Sequence, residues 1–156
     1  MGTRNGTLFE RNIERIFKLA GFGTKRNVIL QDYEVDVLAE YQDITIIVQC
    51  KQYEKSYIPV KDIIHQWESK NKKIGADKVI VAIFGQEATE KEKNLAKRFN
   101  VILWDGRDFE QYQDIVHEKG KEAKDYLLKG LDLISLTKGM KDEYVEPFIS
   151  VEELKR

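Results

Sequence analysis

The chain has 156 residues, 42% of them apolar, which is enough for one hydrophobic core and too little to divide comfortably into two. Its 26 basic and 27 acidic side chains leave a net charge of -1, so contact with a polyanion has to come from a local basic patch. The one cysteine, Cys50, excludes an intrachain disulfide, and with only two histidines beside it a structural zinc site is excluded as well.

The opening MGTRNGTLFERN is charged where a signal peptide needs an apolar stretch. No later run approaches the roughly 20 apolar residues of a membrane span, so a soluble cytoplasmic protein is expected. Leu8, Phe9, Ile13, Ile16, Phe17 and Ala20 recur at helical spacing and predict a first helix, capped by Asn5 or Thr7 and ended by Gly21. TKRNVIL, YEVDVLAE and ITIIVQCKQY follow as three strands, an antiparallel meander. VKDIIHQWESKNKKIG after Pro59 has helical spacing. DKVIVAIF is nearly all apolar, as a strand buried on both faces must be, and is followed by a helix in TEKEKNLAKRF and a strand in NVILWD. That strand, helix, strand order implies a parallel crossover. From Phe109 to Leu136 the pattern predicts two helices broken near Gly120, with candidate interface residues Tyr126, Leu127, Leu131 and Ile134. The expected architecture is α/β: a central mixed sheet in an α/β/α sandwich over 1–108, with a C-terminal helical extension over 109–156 packed on it as one domain.

If YEVDVLAE and ITIIVQCKQY form a hairpin turning at Gln42 and Asp43, Asp36 lies opposite Gln49. Gln49 and Lys51 then share a face, with Asp36 and Glu34 beside them. Asp36 interrupts an apolar strand, and Gln49 and Lys51 end the apolar ITIIV at the facing position. Phosphodiester hydrolysis needs charge neutralisation at the phosphoryl oxygens and an activated water, which a hard divalent cation supplies using few carboxylates. Asp36, the Gln49 amide oxygen and the Cys50 carbonyl suit its ligand positions, and Lys51 suits holding the attacking water or stabilising transition-state charge. Each residue alone reads as an ordinary surface charge or, for Cys50, a small core residue. Their convergence favours chemistry.

GTLFERNIERIF, GFG, YEVDVLAE, IIVQCKQY and ADKVIVAIFG resemble the catalytic domain of Mrr-type restriction endonucleases, a branch of the PD-(D/E)xK nucleases, over about Gly6 to Asp105. The resemblance implies a restriction-endonuclease-like fold and a magnesium-dependent endonuclease on double-stranded DNA, with manganese able to substitute. It implies Asp36 as principal metal ligand, Gln49 in place of the usual acidic residue, Lys51 as catalytic lysine and Glu10, in F-E, completing the metal site. Glu10 reads equally well as an acid in a first helical turn facing the helix dipole. Gln66 resembles an auxiliary glutamine of some members; His65 is ambiguous. Lys25 and Arg26 are candidate DNA contacts, and Lys70, Lys72, Lys73 and Lys91, Lys93, Lys97, Arg98 are basic groups interleaved with acids. Restriction proteins of this kind carry a separate recognition domain, for which this chain has no room, so target choice is expected to be relaxed, to follow DNA structure or to come from a partner subunit. A homodimer suits two strand cuts. A structure-selective junction resolvase and a non-cutting DNA-docking module with the same fold are the alternatives.

Overall fold

The computed structural model describes residues 2–52 and 57–133. Its element order is α1 (Gly2–Leu19), β1 (Gly23–Leu30), β2 (Tyr33–Tyr41), β3 (Ile44–Gln52), α2 (Val60–Ile74), β4 (Lys78–Phe84), α3 (Glu90–Arg98), β5 (Val101–Trp104), α4 (Gly106–Lys119) and α5 (Lys124–Gly130), with a 3-10 turn at Gly120–Ala123. The five strands lie in sequence order in one sheet. β1, β2 and β3 are antiparallel, while β4 and β5 run parallel to β3 and to each other. The mixed α/β architecture expected from the sequence is therefore the one adopted. Among the described residues no helix is long and apolar enough to cross a membrane.

Helices on both faces explain why β4 and β5 are nearly continuous apolar runs, since alternate side chains enter two different cores. On one face Val79, Val81, Ile83, Val101 and Leu103 pack with Ile63, Ile64 and Trp67 of α2 and Ala96 of α3. On the other, Phe17 of α1 stacks on Trp104, Trp104 on Tyr112 of α4, and Phe9 meets both Phe84 and Phe109. Burying a side chain as large as Trp67 contributes on the order of 2–3 kcal/mol.

Boundaries differ from the sequence expectation at two helices. α1 begins at Gly2 rather than after Thr7, because GTRNG contains no proline to stop backward propagation of the helix. Glu10 consequently lies inside α1, and its alternative as a first-turn partner of the dipole falls away. α4 begins at Gly106 because Asp105 caps it: its carboxylate accepts the N–H groups of Arg107 and Asp108, and Asp108 returns the bond to the Asp105 N–H.

The chain divides into two compact units, Met1–Lys124 and Asp125–Arg156. The first holds the whole sheet. In the second, Leu127, Leu128, Leu131 and Leu133 are buried and Tyr126 is exposed. Leu127 and Leu131 are thus already covered and cannot supply the apolar interface for which the sequence made them candidates; Ile134 lies outside the described residues.

Candidate active site

The hairpin forms with the register expected: Val37 pairs with Val48 and Tyr41 with Ile44, and Gln42 turns the chain in the left-handed conformation at φ 54°. Gln42-Asp43 is not a strong hairpin dipeptide, yet the register does not slip, because both strands bury their apolar residues in it. Toward the carboxyl end of β3 the ladder opens. Past the Val37–Val48 pair, Asp36 Oδ2 accepts the backbone N–H of Cys50 at 2.8 Å. A carboxylate has taken the place of a strand carbonyl, and the two strands part around it.

The other side of β2 breaks at the same level. Pairing with β1 steps from Arg26–Val37 to Val28–Val35, passing over Asn27, which has φ 56°. Val35 and Leu38, three residues apart on one strand, belong to the same core cluster, so the alternation of faces slips between them. Glu34, next to Val35, is exposed, and its charge acts on both Asp36 and Glu10.

On β3 alternation holds. Gln49 pairs with Val81 and Lys51 with Ile83, whose side chains enter the core under α2. Gln49 and Lys51 therefore project on that side. Gln52, paired with Phe84, lies on the opposite side with Phe9 and Phe109.

The electrostatics tie four of the named residues together. Burial pushes the Asp36 carboxyl above the ordinary aspartate range; the Cys50 N–H and Lys51 pull it down, and Glu34 raises it further. Burial likewise raises Glu10, with Asp36 adding to the rise and Arg26 opposing it. The Cys50 thiol is pushed well up by burial and then by Asp36 and Glu10, so it is a protonated neighbour of the site and not a nucleophile. Cys50 as a whole residue is half-buried at the strand end, while its thiol is buried, in keeping with its apolar context. Gln49 Oε1 is buried without a hydrogen-bond partner. Such an orphaned acceptor costs roughly 1–3 kcal/mol unless something else satisfies it.

Of the remaining candidates, Arg26 is the one whose charge is felt at Glu10. Gln66 and His65 are exposed on α2, where the His65 ring meets Phe99 at 4.7 Å. Lys25 is exposed on the edge strand, and Arg26 Nε pairs with Glu14 at 3.1 Å. Lys70 sits over the rings of Trp67 and Tyr33, Lys72 pairs with Glu68, and Lys93 with Asp108. Lys73, Lys91, Lys97 and Arg98 are exposed. Arg11, Arg15 and Lys18, which no sequence pattern singled out, line a furrow with Arg26. Their signal was available as basic residues at positions i, i+4 and i+7 of one helix.

A sheet of this topology, opened at the hinge of β2 and β3 around a buried aspartate with a glutamine and a lysine on the adjoining strand end, defines a restriction-endonuclease-like nuclease fold. The family model for restriction endonuclease domains of the Mrr catalytic type matches residues 3–112, and the chain belongs to that family. No curated protein matches. Among solved structures, the protein of unknown function AF1548 is similar with a TM-score of 0.53 at 22% identity, over 63% of this chain and 58% of that one. Can2 from Sulfobacillus thermosulfidooxidans, in complex with cyclic tetra-adenylate, gives 0.57 at 17% identity over 73% and 36% of the two chains. Protein VC1899 from Vibrio cholerae gives 0.55 at 16% over 76% and 35%. These likenesses concern the fold. The alignments span between about a third and three-fifths of the length of those proteins.

Proposed function

We propose that this nuclease domain is a metal-dependent endonuclease that hydrolyses phosphodiester bonds of double-stranded DNA, with restriction of foreign or modified DNA as its setting. The observation that carries the reading is Gln49 Oε1, buried and unpartnered on the strand beside Asp36. An amide oxygen in that condition fits a hard cation, which prefers oxygen ligands. Asp36 Oδ2 accepts the Cys50 N–H, and its other oxygen would be available to the ion. Asp36, Gln49 Oε1, the Cys50 carbonyl and Glu10 would hold magnesium, with manganese able to replace it. When bound, the ion supplies positive charge at the phosphoryl oxygens and acidifies a water. Lys51 orients that water from the same side of β3 as Gln49, and its ammonium offsets the charge that grows on the phosphate.

With an amide where most relatives of this superfamily place an acid, the site carries one negative charge fewer. Metal is held weakly by the free protein and more firmly with DNA present. Tight stoichiometric magnesium binding in a calorimetric titration of the free protein contradicts this. A two-fold dimer, presenting one site to each strand, completes the reading; a monomer at high concentration in light scattering argues against it.

The second reading is a domain that docks on DNA without cutting, in which Gln49 stands as a lost carboxylate. Cleavage of plasmid, linear duplex and four-way-junction DNA with magnesium or manganese decides. Metal-dependent cutting of the duplex is expected, preference for the junction points to resolution, and no cutting of any substrate leaves the docking domain.

A further inference from the structure

Arg11, Arg15 and Lys18 repeat along one face of α1 and are exposed. Together with Glu14, Leu19 and Arg26 of β1 they line an open furrow of about 390 Å³ between the helix and the edge strand. The single acid in it is already engaged: Glu14 accepts Thr24 Oγ1 at 2.7 Å and Arg26 Nε at 3.1 Å. Arg26 is spent on that tie, which fixes the furrow wall. Among the described residues, Arg11, Arg15 and Lys18 form no ion pair. They differ in this from Lys70, Lys72 and Lys93, whose ammonium groups rest on aromatic rings or carboxylates.

The row is about 10 Å long at 1.5 Å per helical residue, a length over which one DNA strand presents roughly three phosphates. Its end adjoins the candidate site, since Arg11 follows Glu10 in the chain and Glu10 responds to the charge of Arg26. A chain of net charge -1 has no overall attraction for a polyanion, so three unpaired cations in one groove are a local exception. We infer that this furrow is the track of the DNA backbone, with Arg11, Arg15 and Lys18 each meeting a phosphate of a duplex whose cleaved bond lies beyond Glu10. The inference rests on the nuclease reading for its direction, while the charge complementarity stands by itself. These residues position DNA and read no sequence.

The test is metal-free binding of a labelled 20-base-pair duplex, about two turns of DNA, measured by anisotropy as salt is varied from about 50 to 200 mM. No cutting is involved, so this inference and the nuclease reading can fail separately. The variant R11Q/R15Q/K18Q should bind at least about 10-fold more weakly at the low-salt end, and the slope of log affinity against log salt should fall by about 2 to 3. The single Arg15→Gln should lower the slope by about 0.9, which keeps the test valid should the triple variant unfold. The exposed pair K91Q/K97Q on α3 should leave it unchanged. An unaltered slope in the α1 variants, an equal loss in the α3 pair, or stronger binding to the single strand than to the duplex would each overturn the inference. Binding lost through α1 in a protein that never cuts sustains the track and removes the nuclease reading.

Discussion

Two aspartates are buried at the same end of the sheet and have opposite electrostatics. Asp105, 1% exposed, has both oxygens occupied: they accept the N–H groups of Ala88, Arg107 and Asp108 and the Arg107 guanidinium. Burial alone would raise its pKa, but Arg107, the Ala88 N–H and Lys93 outweigh that and hold it well below the usual carboxylate range. Asp36, 9% exposed, has one backbone N–H, and burial wins, so its pKa is raised. The first aspartate stabilises the fold by capping α4 and tying the loop before α3 to it. The second is buried at a cost that its single N–H partner does not offset.

The largest effect that sharpens this contrast is on turnover. Lys51→Ala should lower DNA cleavage by about 10²–10³-fold in single-turnover assays, while the melting temperature stays within a few degrees of the parent. Asp105→Ala should do the reverse, costing about 2–3 kcal/mol in chemical denaturation through the lost cap and the orphaned Ala88 N–H. Finding that Lys51→Ala destabilises as much as Asp105→Ala would erase the distinction.

The two sites also respond oppositely to pH. For Asp105, whose folded pKa is depressed, the stabilisation is present above the unfolded value of about 3.9 and is lost as pH falls below it. Asp36, whose folded pKa is raised, is least costly below that value, and stability falls as pH rises through its folded pKa. Asp105→Asn should therefore flatten the acid limb of a melting-temperature profile, whereas Asp36→Asn should stabilise the neutral limb. Cleavage should decline as pH drops through the raised range of Asp36 and Glu10, because protons compete with metal there.

A smaller change tests the orphaned acceptor. Gln49→Glu restores a charge at the strand end and should tighten magnesium binding by about 10-fold in calorimetry, within the range of ligand-shell changes. An unchanged affinity places Gln49 outside the ligand set. The smallest effect is at the cap of α3, where Thr89 and Glu92 exchange bonds through side chain and backbone. Thr89→Ala should cost about 1 kcal/mol by thermal melting and leave cleavage untouched.

Much of this was legible in the sequence. Both faces of β4 are covered, and the apolar run KVIVAIF says so; the meander and its register follow from the alternation and spacing around Gln42 and Asp43. The same spacing puts Asp36 opposite Gln49, but the ladder ends at Val37–Val48 and Asp36 takes the Cys50 N–H instead. The break in pairing at Asn27 was not legible, because a left-handed asparagine inside a strand leaves no mark on the hydropathy pattern. Asp105 passed as the end of a strand: its cap partners Arg107 and Asp108 are local, but the Ala88 N–H that also ties it down comes from a loop 17 residues away. The burial of Leu127 and Leu131 was invisible for a related reason: periodicity shows an apolar stripe without showing what covers it.

The most direct test of the central claim is magnesium-dependent cleavage of plasmid DNA by the wild type and Asp36→Asn, with both melting temperatures measured in the same buffers. Loss of cutting in a variant that melts at or above the wild-type temperature, and whose melting no longer rises with magnesium, is the predicted result. Undiminished cutting by Asp36→Asn, or loss of cutting only because the variant unfolds, would contradict the assignment of Asp36 to a metal-dependent active site.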